Sequence, residues 1–143
     1  MKRLDSKTLF DVFQVGDEEV YKEHGVEDLL DNSFVLLGMV VKGVENYYII
    51  DQLYKRKYGE EYDSQRENIK LTYFKGLMKY LERIGEIRLD TLSMIEDEFG
   101  ISAIDYAFSE MTEFFISVEY YEECSILKKY LDLFSLNKLV EED

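Results

Sequence analysis

The chain has no proline and no tryptophan, and only one cysteine and one histidine among its 143 residues. Because proline breaks a helix or forces a turn, its absence lets helices run with little interruption. The single Cys124 excludes an internal disulfide and points to a reducing compartment. The first residues and the short apolar run at 34–41 predict neither a signal peptide nor a membrane span. We therefore expect a cytoplasmic protein.

The same scarcities exclude most recognisable site chemistries. Structural zinc needs four cysteine or histidine ligands, whereas this chain has only His24 and Cys124. No glycine-rich phosphate loop occurs, and no tryptophan is present to stack on a sugar. Cys124 lies on an apolar helical stripe and His24 precedes Gly25, so both read as structural residues. We expect no catalytic residues, no metal and no cofactor, and we interpret the protein as a non-enzyme.

What the chain has in excess is acid. Aspartate and glutamate number 31 against 17 lysines and arginines, which gives a formal net charge of −14. Such a charge repels nucleic acids and anionic membranes. The hydrophobic fraction of 46% nevertheless supports a folded core, so residues 1–143 are expected to form one acidic domain.

Apolar residues recur at intervals of three and four along most of the chain, a spacing that predicts amphipathic helices. Before residue 33 the pattern indicates only short helices separated by Gly16 and Gly25. From there it predicts helices over 34–58, 64–84, 89–99 and 102–115, then a final helix carrying Tyr120, Cys124, Leu127, Leu131 and Phe134. The residues predicted to face inward include Leu89 on the third of these helices and, on the fourth, Ile104, Ala107, Phe108, Met111 and Phe115. The expected fold is an all-α compact bundle of five to seven helices. A strand hairpin stays open for residues 34–50, where Gly38 and Gly43 interrupt β-branched residues.

Several helix ends carry capping signals. Asn32 or Ser33 is placed to cap the helix over 34–58. Ser64 with Glu67, and Ser102 with Asp105, have the spacing of capping boxes. Gly85 and Gly100 are expected to end two other helices.

The phase of the apolar stripe changes at residues 116–119, which predicts a tight connection in a C-terminal antiparallel helical hairpin. The segment YEECSILKKYLDL, which starts at Tyr121, resembles the helical hairpin of the UVR motif, a protein-pairing element. The aromatic-acidic start is present and Leu127 fits, but Lys128 and Lys129 replace the arginine and aspartate of that motif. The resemblance implies hairpin geometry, and no residue role is transferred from it.

Charge is unevenly distributed along the chain. Residues 84–143 carry 15 acids and 4 bases, whereas residues 55–83 carry 8 bases and 5 acids. Lys75, Lys79 and Arg83 share one helix face, with Arg66 and Lys70 nearby. We interpret this face as solvated and paired with the protein's own acidic hairpin; the alternative is a docking stripe for an acidic partner or RNA.

These patterns favour an acidic adaptor or regulator that binds another protein, possessing a basic surface, through the C-terminal hairpin. No direct nucleic acid and no membrane are expected as partners. The predicted binding residues are Asp97, Glu98, Glu119, Glu122 and Glu123. One alternative is an inhibitor of the phage or mobile-element kind that mimics nucleic-acid charge, and another is a structural subunit or assembly factor of a larger particle. An enzyme with unrecognised carboxylate chemistry ranks last.

Overall fold

The computed structural model describes residues 32–85 and 87–142, with side-chain surroundings up to residue 137. This part of the chain is almost entirely helical and contains no strand, which confirms the all-α prediction. Its six helices are α1 (Ser33–Tyr58), α2 (Glu60–Asp63), α3 (Arg66–Arg83), α4 (Leu89–Phe99), α5 (Ile101–Ser117) and α6 (Tyr121–Glu142). The short helices predicted before residue 32, and His24, lie outside the described residues.

The central element is α1, which packs against α3, α4 and α5. Its start is fixed as predicted, because the Asn32 side chain accepts hydrogen bonds from the backbone N–H groups of Phe34 and Val35. A strand hairpin at 34–50 is therefore wrong. Gly43 serves close helix packing instead, because a Cβ atom there would lie 2.6 Å from a methyl group of Leu77 on α3. The Tyr73 hydroxyl also donates to the Gly43 carbonyl, at 2.8 Å.

Length and composition alone would let α1 cross a membrane, since a window within it has a mean hydropathy of 1.3. This differs from the expectation drawn from the short run at 34–41. The core helix of a soluble protein passes the same test. In this fold one face of α1 is covered by the neighbouring helices, and Ile49 and Leu53 are exposed on another.

Both predicted capping boxes are wrong. The Ser64 hydroxyl donates to the Glu61 carbonyl within the turn that ends α2, and α3 begins after Gln65 without a side-chain cap. The second capping box was predicted at the start of α5. That helix begins at Ile101, so Ser102 lies inside it and is not its N-cap. Here a single residue in a left-handed conformation, Gly100 at φ 83°, ends α4 and starts α5.

The last two helices form the predicted antiparallel hairpin. Phe108 on α5 packs against Tyr130 and Phe134 on α6, while Cys124 faces the Thr112 carbonyl nearer the turn. The segment from Tyr121 that resembles the UVR motif is one continuous helix, and the hairpin arises from its pairing with α5.

Most predicted core positions are buried, and they form one contiguous cluster. The α5 face is confirmed in full, with Ile104, Ala107, Phe108, Met111 and Phe115 at 1% exposure or less. Two differences concern helix ends and seams. Leu89, predicted inward, is 44% exposed, and Cys124 is only partly buried, whereas Leu127 and Tyr130 on the same helix are buried.

Candidate functional site

The turn between α5 and α6 is closed by a specific set of backbone bonds. The Tyr120 N–H bonds the Phe115 carbonyl at 2.8 Å, and the Glu119 N–H bonds the Ile116 carbonyl at 3.1 Å. The rings of Tyr120 and Phe115 are in contact, with centroids 6.3 Å apart. Together these are the bonds and the apolar contact of a Schellman motif, which ends a helix with one residue in the left-handed region.

That left-handed residue is Glu119, with φ 63°. It is the one non-glycine residue with a positive φ in the described part of the chain. Glycine is the usual occupant of this position, and a residue with a Cβ atom costs about 1–2 kcal/mol there. The carboxylate is exposed, so no buried contact accounts for the choice of glutamate.

Two large apolar side chains are exposed on either side of this turn. Ile116 is 51% exposed at the end of α5, and Tyr121 is 60% exposed at the start of α6. Glu122 is exposed beside them and Glu123 is partly exposed. We call Ile116, Glu119, Tyr121, Glu122 and Glu123 the hairpin tip.

The structure divides the five predicted binding residues into two groups. Glu119, Glu122 and Glu123 lie together in the hairpin tip. Asp97 and Glu98 are exposed near the end of α4, which adjoins the opposite end of α5. Because α5 has 17 residues at about 1.5 Å each, the two groups are separated by about 25 Å.

A second polar cluster, not found from the sequence, lies between α1, α3 and α5. Asp51 on α1 is 3% exposed and pairs with Arg66 on α3 through two bonds, Nε–Oδ1 at 2.9 Å and Nη2–Oδ2 at 2.5 Å. The Tyr62 hydroxyl donates a third bond to Asp51. Burial acts to raise the pKa of Asp51, but the hydrogen bonds from Arg66 and Tyr62 and the Arg66 charge outweigh it and hold the pKa below its usual value.

The sequence contained a signal for this pair. Asp51 lies four residues after Tyr47 and seven after Val44, on the buried stripe of α1. A charged residue on an apolar stripe predicts a buried, paired charge. In the sequence, Arg66 stands out only as a neighbour of the basic face of α3.

Lys70 lies one turn after Arg66. Its ammonium nitrogen is 4.9 Å from the ring centroid of Phe114 and 5.0 Å from that of Tyr48, with the rings of Tyr47 and Phe74 within 5.9 Å. Tyr48 in turn donates a 2.7 Å hydrogen bond to Glu110 on α5. Burial lowers the pKa of Lys70, while the charges of Glu110 and Asp51 oppose that shift.

The predicted pairing of the basic face with the acidic hairpin takes another form at two positions. Arg66 pairs with α1 as described, and the Lys75 ammonium lies 4.4 Å from the ring centroid of Tyr120.

Cys124 is partly covered, and burial, reinforced by Glu123, raises the pKa of its thiol. A raised thiol pKa reduces the fraction of reactive thiolate.

Within residues 32–85 and 87–142, no group of three or more histidine, cysteine or acidic side chains is arranged to hold a metal ion. Compared with known protein families, with curated proteins and with solved structures, the chain matches none.

Proposed function

We propose that this protein is a non-enzymatic adaptor or regulator that binds another protein through the hairpin tip. The observation that carries the proposal is Glu119, an exposed carboxylate in a backbone conformation that favours glycine. A residue held against its conformational preference in an exposed turn is a candidate for function. Here it stands between two exposed apolar side chains.

The hairpin tip has the composition of a binding patch. Protein interfaces have an apolar centre enriched in tyrosine and a polar rim. Ile116 and Tyr121 supply the apolar centre, and Glu119, Glu122 and Glu123 supply a rim of one sign. The complementary partner surface has an apolar pocket or side chain surrounded by lysine or arginine, and the acidic rim would speed its encounter with the tip.

Asp97 and Glu98 belong to the proposal as a second, separate contact. A standard interface buries about 800 Å² on each partner, so one large partner surface is wide enough to reach both ends of α5. Testing the two acidic groups in separate variants distinguishes a contact at the tip from one that extends along the hairpin.

Partner capture is the first test. A photo-crosslinking amino acid in place of Tyr121 should join the protein to its partner in cells, whereas the same replacement at Tyr106, which is 48% exposed on α5, should give less product. Equal crosslinking at both positions would contradict the proposed surface. If the captured partner binds nucleic acid and duplex DNA competes with the hairpin tip, the charge-mimic alternative is favoured.

Association rates then measure the role of the acidic residues in partner binding. With the captured partner, reversing Glu119, Glu122 and Glu123 to lysine should slow association about tenfold or more at low salt and flatten its salt dependence. A matched double variant, Asp97→Lys with Glu98→Lys, reverses the charge of the second acidic group and leaves the hairpin tip unchanged. Equal rates and equal salt slopes for all variants would show that the acids act only in solubility.

Glu119 itself allows charge and backbone to be separated. Glu119→Gly should raise the free energy of unfolding by about 1 kcal/mol, because glycine adopts a positive φ without steric cost. Glu119→Gln also removes the charge but keeps a side chain of the same size, so its stability should stay close to that of the wild type. Both variants should slow partner association; a variant that gains stability and binds as well as the wild type would remove Glu119 from the site.

A further inference from the structure

A groove of about 350 Å³ lies between α1, α3 and α5 on the side of the molecule that holds the Asp51–Arg66 pair. Its lining includes Tyr47, Tyr48 and Phe114 as apolar walls and Arg66 and Lys70 as cations. This volume is within the range of small-molecule sites, which combine apolar walls with a few placed polar groups. The groove does not include the hairpin tip.

Lys70 is the unusual member of this groove. Its side chain is largely covered, and the ammonium group contacts the faces of four aromatic rings. Among the described residues no oxygen atom accepts a hydrogen bond from it or forms an ion pair with it. An ammonium group has three donors, and ring faces compensate only part of the lost hydration. The site therefore lacks an acceptor at the Lys70 nitrogen.

The acids around the groove are already engaged, with one exception. Asp51 is bonded by Arg66 and Tyr62, Glu110 accepts from Tyr48, and Asp63 pairs with Lys55. Glu67 is exposed at the edge, where water screens its charge. Of the two cations that line the groove, Arg66 is paired with Asp51, and Lys70 has no close opposite partner in the described structure.

We propose that this groove binds a small organic carboxylate with a planar apolar body, its carboxylate on the Lys70 ammonium and its body against the rings of Tyr48 and Phe114. The chemistry selects a single negative charge. A dianion such as a phosphate ester would be repelled by the nearby Asp51 and Glu110 carboxylates, whereas a cation would compete with Lys70 for the ring faces.

Benzoate is a suitable probe, with benzyl alcohol and benzylamine as its neutral and cationic counterparts. Titration of the full chain should shift the NMR signals of Lys70 and Tyr48. Lys70→Met keeps an apolar stem without the charge, and it should weaken benzoate binding about tenfold or more, because a hydrogen bond to a charged group is lost. Lys79→Met, an exposed position on the same helix, should leave binding unchanged.

The outcomes separate cleanly. Benzyl alcohol should bind more weakly than benzoate, and equally to the wild type and to Lys70→Met. The proposal is overturned if benzoate causes no shift at Lys70 up to its solubility limit, or if it binds Lys70→Met as well as the wild type. Tighter binding of benzylamine than of benzoate would assign the ring faces to a cation instead. Thermal unfolding of Lys70→Met checks its fold, and the wild-type titration stands on its own if that variant fails.

Discussion

At the scale of single residues, the Asp51–Arg66 pair joins α1 and α3, the two described helices that pack most extensively against each other. Asp51 has a side chain only 4% exposed, whereas the Arg66 side chain is 46% exposed. Removing the arginine leaves a buried carboxylate with Tyr62 as its remaining hydrogen-bond donor in the described structure, and an unpaired buried charge is destabilising. The pair therefore affects stability mainly because loss of the arginine leaves the Asp51 carboxylate buried without a charge partner. The net attraction between the two groups contributes less.

Arg66→Met is expected to lower the free energy of unfolding at neutral pH by about 2 kcal/mol, less than a fully buried pair would lose because water reaches the guanidinium. The folded-state pKa of Asp51 is depressed, so its stabilisation is present above the unfolded value of about 3.9 and is lost as the pH falls through the folded value. The deficit of Arg66→Met should thus shrink in acid. Urea unfolding between pH 3 and pH 7 measures it.

Lys79→Met provides the control for that series, because it removes an exposed cation from the same helix. Its effect should stay close to zero across the same pH range. A deficit for Arg66→Met that is the same at pH 3 and pH 7 would mean that lost packing, and not the ion pair, explains the change in stability.

At the scale of helices, Gly100 is the single residue that joins α4 to α5. Its φ of 83° and ψ of 146° lie in a region that is essentially confined to glycine. Gly100→Ala should therefore lower the free energy of unfolding by about 1–3 kcal/mol, although no neighbouring atom stands within 4 Å of the added Cβ. Urea unfolding at neutral pH measures the change.

Gly85→Ala separates this backbone effect from a general effect of removing glycine. Gly85 also has open space around its Cβ position, and its φ is not in the left-handed region. The variant should change stability by less than about 0.5 kcal/mol. If both alanine variants lose the same free energy, the conformation of Gly100 is not the cause.

The sequence predicted the helices better than their ends. Apolar stripes report burial directly, so all five residues predicted for the inner face of α5 are buried, and Phe114 is the one buried residue of that helix that the prediction omits. Capping depends on which backbone group a short side chain reaches first, and Ser64 reaches the Glu61 carbonyl before any amide of α3. The left-handed conformation of Glu119 follows from closing the hairpin, and no local pattern announces it. Asp51 was not identified from the sequence, because the chain has 31 acidic residues and only its position on the apolar stripe of α1 distinguishes it.

At the scale of the whole molecule, excess negative charge opposes folding. Residues 84–143 have a net charge of −11 and include the hairpin, where repulsion between carboxylates is least compensated. Raising NaCl from 10 to 300 mM shortens the screening length from about 30 Å to less than 8 Å. The melting temperature should rise by about 2–5 °C over this range, as measured by far-UV circular dichroism, whose spectrum should be dominated by helix.

The triple reversal at Glu119, Glu122 and Glu123 is the control for this effect. It removes repulsion at the hairpin tip, so its melting temperature should depend less on salt than that of the wild type. A melting temperature that falls as salt is added would show that favourable ion pairs, such as Lys55–Asp63, outweigh the repulsion.

The position of α1 in the sequence and in the fold also affects the chain during its synthesis. Within the described residues, the helices that pack on α1 all follow it in sequence, and the bond from Tyr48 to Glu110 spans 62 residues. During synthesis α1 leaves the ribosome well before α5 exists, so the face of α1 that packs against α5 lacks this neighbour, in a segment long and apolar enough to resemble a membrane span. At the synthesis rate of about 5–20 residues per second this interval lasts several seconds. The nascent chain is then most exposed to chaperones, to aggregation and to the machinery that recognises membrane segments.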